Sequence, residues 1–331
     1  MDADLMADAI TVAATVRRRT PPNPWVGAVL STRDGRRFAG ATEPPGGRHA
    51  EVVALDAARA AGAPTQGATL AVTLEPCSHT GRTGPCTEAI LAAGVERVVV
   101  GVVDPDRNVA GTGIAALRAA GVEVAVGVRA DEVDEQLAAY LHHRRTGRPF
   151  VVLKLAGTLD GRTAAPDGTS RWITGADARV AVHELRAASD AVLVGAGTVR
   201  ADDPELTVRH VEGPDPRRVV LGSAPAHAKV HPCTEVSGPL EEVLSALAAE
   251  GVLQLLVEGG PTVAGAFHRA GLVDRYVLHL APALAGGDDA RSLFAGPGAP
   301  TIAEFWRGRP ISCRRLGDDL EVVVAPLPRS A

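Results

Sequence analysis

His49-Ala50-Glu51, Pro76-Cys77 and Cys86 supply one imidazole, two thiols and a carboxylate two residues from the imidazole. One nitrogen and two sulfurs suit tetrahedral zinc. Three protein ligands leave the fourth corner open for water, the arrangement of catalytic zinc. Zinc held in this way lowers the pKa of its bound water to roughly 7. Glu51 is a poor extra ligand for a sulfur-rich site but a good proton carrier, able to take a proton from that water and hand it to a leaving amine. H-x-E followed by P-C-x-x-C marks the zinc deaminases of nucleobases. Here the polar stretch 78–85, which includes His79 and Arg82, separates the two cysteines. His79 is a candidate fourth ligand, and a site closed by it would be structural. Singly, each cysteine reads as a buried thiol and His49 as a core histidine. Jointly, with Glu51 and Pro76 in place, they read as a metal site.

The C-terminal half has a different candidate. It lacks G-x-G-x-x-G after its first strand, so the usual dinucleotide fingerprint is absent. Glycines stand instead at two strand ends, in Gly195-Ala196-Gly197-Thr198 and Glu258-Gly259-Gly260-Pro261-Thr262. The second run ends a strand and opens a helix with Pro261 at the first helical position. Bare backbone N–H groups at such a turn can cradle a pyrophosphate. The same turn also serves as a plain tight connection.

The elements that must carry these groups alternate between strand and helix. Leu5, Ala9, Val12 and Val16 repeat at helical spacing. Strands are expected at 26–30, 69–74, 97–103 and 122–128, and helices at 50–61, 87–93 and 114–120. His49 and Cys86 then lie just before helix starts, where the partial positive charge favours a thiolate. The polar run His142-His143-Arg144-Arg145-Thr146-Gly147-Arg148-Pro149 reads as a solvated linker. It sets expected domains of 1–146 and 147–331. A second series follows, with strands at 151–155, 191–195, 218–221, 252–257 and 276–280. Its helices are expected at 176–188, 240–249 and 263–270, and a terminal hairpin at 312–316 and 320–324. Alternation of this kind predicts α/β domains with mainly parallel sheets.

Length and charge set the outer bounds. The 331 residues suit two domains, and 34 Lys plus Arg against 39 Asp plus Glu leave a net charge of −5. With only 3 Trp, 2 Tyr and 5 Phe, the chain lacks the basic face and stacking platforms of a nucleic-acid binder. That argues against a nucleic-acid deaminase. Four cysteines are too few for a disulfide scaffold. Acidic Asp2 and Asp4 precede Arg17-Arg18-Arg19, the reverse of a secretory signal, and no apolar run reaches membrane-spanning length. A cytoplasmic protein with no membrane partner is expected.

Several stretches resemble one family along nearly the whole chain. In the first half they are Pro22-Asn23-Pro24-x-Val26-Gly27, His49-Ala50-Glu51-Val52 and Thr73-Leu74-Glu75-Pro76-Cys77-Ser78-His79-x-Gly81-Arg82-Thr83-x-Pro85-Cys86. In the second half they include Leu153-Lys154-Leu155-Ala156-x-Thr158-Leu159-Asp160-Gly161-Arg162 and Ser170-x-Trp172-Ile173-Thr174-Gly175. His183-x-Leu185-Arg186-Ala187 and Gly197-Thr198-Val199-x-Ala201-Asp202-Asp203-Pro204-x-Leu206-Thr207-x-Arg209 follow, and then Glu258-Gly259-Gly260. Together they are similar to the bifunctional deaminase/reductases of riboflavin biosynthesis.

The resemblance implies a cytidine-deaminase-like α/β/α sandwich followed by a dihydrofolate-reductase-like α/β domain. It implies zinc on His49, Cys77 and Cys86, with Glu51 moving protons. The substrate would be a phosphorylated ribosylaminopyrimidine, first deaminated and then reduced by NADPH from ribosyl to ribityl. Asn23, His79 and Arg82 would contact substrate in the first site, and Ser170, Arg186, Asp202, Leu206 and Arg209 in the second. Ala156, Trp172, Thr198, Glu258, Gly259, Gly260, Pro261 and Thr262 would hold the cofactor. Asp202 or Lys154 would supply the proton for the reduction. The resemblance leaves room for a homo-oligomer such as a dimer.

Overall fold

The computed structural model describes residues 1–79 and 84–327, and the chain divides into two compact units, Met1–Gly147 and Arg148–Ala331. In the first unit the order is α1 (Asp2–Ala14), β1 (Gly27–Ser31), β2 (Arg37–Ala41), α2 (Ala50–Ala60), β3 (Thr69–Leu74) and α3 (Cys86–Ala92). β4 (Arg97–Val102), α4 (Thr112–Ala119), β5 (Glu123–Val126), α5 (Ala130–Gln136) and α6 (Ala138–Thr146) complete it. The sheet order is β2-β1-β3-β4-β5. β1 runs antiparallel to both neighbours, while β3, β4 and β5 are parallel.

Two glycines show how helices cover both faces. A side chain on Gly27 would run into the backbone of Ala9 in α1, and one on Gly40 into the backbone of Ala50 in α2. Gly40 pairs with Ala28, the neighbour of Gly27, so the two glycines face opposite ways. α1 and α2 therefore lie on opposite faces of an α/β/α sandwich. β3 and β4, central and covered on both sides, are buried almost throughout.

The second unit contains β6 (Phe150–Thr158), β7 (Arg162–Ala164), α7 (Ala176–Ala187), β8 (Ala191–Gly195), α8 (Ala196–Asp202), β9 (Arg217–Leu221) and β10 (Thr234–Val236). α9 (Leu240–Ala249), β11 (Gln254–Val257), α10 (Pro261–Arg269), β12 (Arg275–Ala281), β13 (Arg291–Ser292), β14 (Gly308–Leu316) and β15 (Asp319–Pro326) follow. Eight strands form one sheet in the order β10-β9-β8-β11-β6-β12-β15-β14. The first six are parallel, and the β14–β15 hairpin adds antiparallel strands at the end. Val151, Leu153 and Leu155 of β6 and Phe267 of α10 share the main core.

Three expectations need correction. The run at 142–146 is the last turn of α6 and not a linker, because Ala139, Tyr140 and Leu141 just before it are buried and fix the helix in place. β2 was not expected, since an edge strand with one buried residue carries little apolar alternation. The first sheet is mixed rather than mainly parallel, because β1 opposes both its neighbours.

Candidate functional site

In the first unit, chain geometry brings three ligand atoms together. His49 is the N-cap residue of α2, Cys77 lies just beyond β3, and Cys86 is the first residue of α3. Their ligand atoms all lie within 4.8 Å of one another. His49 Nδ1 is 3.2 Å from Cys86 Sγ and 3.5 Å from Cys77 Sγ. Zinc–nitrogen and zinc–sulfur bonds of ordinary length, set at a tetrahedral angle, put such atoms about 3.5 Å apart. The set therefore fits zinc.

The charges agree with a cation. The Cys86 hydrogen bond, with help from His49, brings the Cys77 thiol down to about 4, while the same hydrogen bond and burial push the Cys86 thiol up. A cation bound between the two sulfurs would favour the thiolate form of both. The Cys86 backbone N–H also donates to Cys77 Sγ at 3.4 Å. Glu51 sits in the first turn of α2, only 4% exposed, and burial raises its carboxyl pKa.

These groups open on a cavity of about 410 Å³ that also has Asn23 and His79 on its wall. His79 is exposed and outside the three-atom cluster, so the fourth corner is not closed by it. Arg82 lies outside the described residues. Cys86 is fully buried behind the wall.

Two supporting groups went unassigned in the sequence. Glu75, also on the wall, accepts four backbone N–H bonds, from Asp104 at 3.3 Å, Gly111 and Gly113 at 2.9 Å, and Ile114 at 3.1 Å. Its place next to Pro76-Cys77 was the available signal. Asp104 in turn accepts the Tyr140 hydroxyl at 3.0 and 3.2 Å.

The second unit holds a cavity of about 750 Å³. Lys154, Ala156, Ser170, Thr198, Asp202, Glu258, Gly259, Gly260, Pro261 and Thr262 all line it. Both glycine runs open here: Gly195 is the N-cap of α8 and Gly260 the N-cap of α10, with Pro261 first in that helix. A side chain on Gly195 or Gly259 would strike Val263, so the turns stay narrow and bare. That cradle fits the phosphates of a nicotinamide dinucleotide. Burial lowers the Lys154 pKa, with Glu258 opposing that shift.

Four expected residues stand off this wall. Arg186 is buried and forms a two-bond ion pair with Glu258, at 2.6 and 2.8 Å, which occupies the guanidinium expected to clamp phosphate. Arg209 bonds Glu205 and Thr207. Leu206 is buried, with a positive φ of 57°. Trp172 is 72% exposed, its ring beneath the Arg179 guanidinium at 4.7 Å.

Comparison with known proteins follows the same division. The family described as the cytidine and deoxycytidylate deaminase zinc-binding region matches residues 1–102, and that described as the RibD C-terminal domain matches residues 149–322. The chain is 44% identical to riboflavin biosynthesis protein RibD of Mycobacterium tuberculosis H37Rv, over 96% of this chain and 95% of that one. Identity to RibD of Escherichia coli K12 is 38%, over 96% and 98%. Among solved structures, Acinetobacter baumannii RibD (form 1) matches with a TM-score of 0.90 at 36% identity, covering 99% of each chain. A diaminohydroxyphosphoribosylaminopyrimidine deaminase/5-amino-6-(5-phosphoribosylamino)uracil reductase from Thermotoga maritima matches at 0.89 and 32%, covering 98% and 99%.

Proposed function

The chain belongs to the RibD family, the bifunctional deaminase–reductases of riboflavin biosynthesis, and on that premise we propose how its two cavities divide the work. Unit Met1–Gly147 carries the deaminase and Arg148–Ala331 the reductase. The substrate is the diaminohydroxyphosphoribosylaminopyrimidine named for the Thermotoga relative. The deaminase replaces a ring amino group by oxygen and releases ammonia. The reductase then adds hydride to the opened ribosyl carbon, giving ribityl phosphate.

His49, Cys77 and Cys86 would hold zinc, which when bound supplies a Lewis acid that activates water. Glu51 takes the proton from that water and delivers it to the departing amino group. Its burial raises its pKa, which strengthens the carboxylate as a base towards that water. Asn23 and His79, on the same wall, orient the ring.

In the reductase, NADPH would supply the hydride. Ala156, Thr198 and the turn Glu258-Gly259-Gly260-Pro261-Thr262 hold it, and the bare N-termini of α8 and α10 take its pyrophosphate. Arg200 on that wall gives a cation for the phosphate that distinguishes NADPH from NADH. Ser170 and Asp202, on the same wall, would contact the substrate, and Lys154, which also lines it, would deliver the proton. Two free thiols at the metal and a demand for NADPH both suit the reducing cytoplasm.

The observation that carries this reading is the three-atom cluster, of which His49 and Cys77 line one cavity with buried Glu51. Metal analysis, ammonia release and NADPH oxidation, measured separately, test it. About one zinc per chain is expected. Glu51→Gln should retain zinc and lose deamination by about 10²–10⁴-fold. His49→Ala should lose both zinc and deamination yet still reduce the deaminated intermediate. Full deamination by Glu51→Gln, or no zinc in the wild type, sinks the proposal.

A further inference from the structure

We propose that Arg144 is the phosphate-recognition residue of the deaminase cavity. The proposal rests on the substrate reading above. Arg144 lies in the last turn of α6 and lines the same cavity as His49 and Glu51. Among the described lining residues it is the only arginine or lysine. Four carboxylates share that wall, those of Glu51, Glu75, Asp104 and Asp106. A phosphate carries a charge of about −1.5 to −2 near neutral pH, and it cannot enter an acid-lined cavity without a cation to meet it.

The carboxylates do not exhaust Arg144. Glu75 is engaged with backbone amides, and Asp104 with the Tyr140 hydroxyl. Asp106 turns one oxygen to Asn108, and its other oxygen lies a loose 3.4 Å from Arg144 Nε. That Nε contact is the closest approach of the Arg144 guanidinium to Asp106, and its other two nitrogens are the terminal ones. Those two nitrogens form the edge that binds two phosphate oxygens at once.

The guanidinium is also held in place. It lies over the Tyr140 ring, one helical turn back, at 5.1 Å, and that ring is fixed through its hydroxyl to buried Asp104. Its side chain is 35% exposed while Glu51 is only 4% exposed, so Arg144 stands nearer to solvent than Glu51 does. The pyrimidine must sit deep, at Glu51. The phosphate at the other end of the ribose then falls nearer to solvent, where Arg144 stands.

The test compares Arg144→Gln, Arg144→Lys and, as a control, Arg145→Gln. Arg145 pairs with Asp134 and is absent from the cavity wall. Deamination is measured on the phosphorylated aminopyrimidine and on its dephosphorylated counterpart, and competitive inhibition with ribose 5-phosphate. Arg144→Gln should raise KM for the phosphorylated substrate by about tenfold or more, with kcat little changed. It should weaken ribose 5-phosphate by a similar factor and leave KM for the dephosphorylated substrate unaltered. Arg144→Lys should recover part of the loss, and Arg145→Gln should match the wild type. Equal losses on both substrates, or unchanged inhibition by ribose 5-phosphate, would overturn the proposal. If the wild type released no ammonia from either substrate, the substrate reading would fall. Ribose 5-phosphate binding measured calorimetrically in wild type and Arg144→Gln would still decide the role of Arg144.

Discussion

Arg186 and Glu258, 72 residues apart in sequence, meet as a buried two-bond ion pair, and Glu258 directly precedes the bare turn Gly259-Gly260. Arg186 also donates to the Thr207 carbonyl at 3.1 Å. Burial alone would raise the Glu258 carboxyl, but Arg186, aided by Lys154, outweighs it and holds the pKa below the usual carboxylate range. Removing one partner strands the other charge in a dry site. Glu258→Gln or Arg186→Met should each cost about 3–5 kcal/mol in urea unfolding, with the double mutant recovering part of the loss. Because the pair anchors the turn, Glu258→Gln should also raise KM for NADPH. Additive losses in the double mutant would show that the two side chains act separately.

Glu75 ties the metal site to the segment that follows β4. One carboxylate oxygen takes the Asp104 and Gly111 amides, and the other the Gly113 and Ile114 amides. Glu75→Gln keeps the shape but sets an NH₂ against two N–H donors. Leaving two buried amides unpaired should cost about 2–6 kcal/mol. The readout is hydrogen exchange at Gly111, Gly113 and Ile114, which should speed up, together with weaker zinc retention beside Cys77. Unchanged exchange at those amides would remove Glu75 from this role.

The contrast between Glu51 and Arg144 shows what the sequence could reveal. Glu51 was legible because its chemistry is local: it is two residues from His49, on the same helix start. Cys77 and Cys86 joined them through a spacing that few other folds need. Arg144 was read as part of a solvated run, since four polar residues in a row look like a linker. Only the burial of Tyr140 and its hydroxyl bond to Asp104 turn that helix end toward the cavity. Arg186 shows a different limit. Its residue type suits phosphate, but nothing in the chain order shows that Glu258 consumes it. Interior strands such as β3 and helices such as α9 matched their expected bounds because their apolar patterns are strong.

Lys154 gives the reductase a pH signature. Its side chain has no hydrogen bond or ion pair among the described residues, and burial pulls its pKa below the ordinary lysine value of about 10.4. A general acid must be protonated to act. Reduction should therefore decline as pH rises through this lowered pKa, earlier than an exposed lysine would allow. Lys154→Met should abolish that alkaline limb and slow reduction by about 10²–10⁴-fold. Asp202→Asn should preserve the limb. A limb that persists unchanged in Lys154→Met would take the proton donation away from Lys154.

Glu321 supplies a test of stability against pH. Buried on β15, its carboxylate accepts from His279 Nε2 at 3.1 Å and from Arg314 Nε at 2.6 Å, and these bonds bring its pKa from 4.5 down to about 2. A carboxyl whose folded pKa lies below its unfolded value binds its proton more readily in the unfolded chain. The stabilisation is therefore complete above about pH 4.5 and is lost as pH falls towards about 2. Its full size is at most roughly 3 kcal/mol, since Arg314 is half exposed to solvent. Glu321→Gln removes the ionisation but keeps the shape. In urea unfolding the wild type should exceed this variant by a constant margin from pH 7 to 5, and the margin should shrink progressively towards pH 3. A margin that stays level across that range would mean that Glu321 contributes through packing and neutral hydrogen bonds, and its charge would drop out of the account.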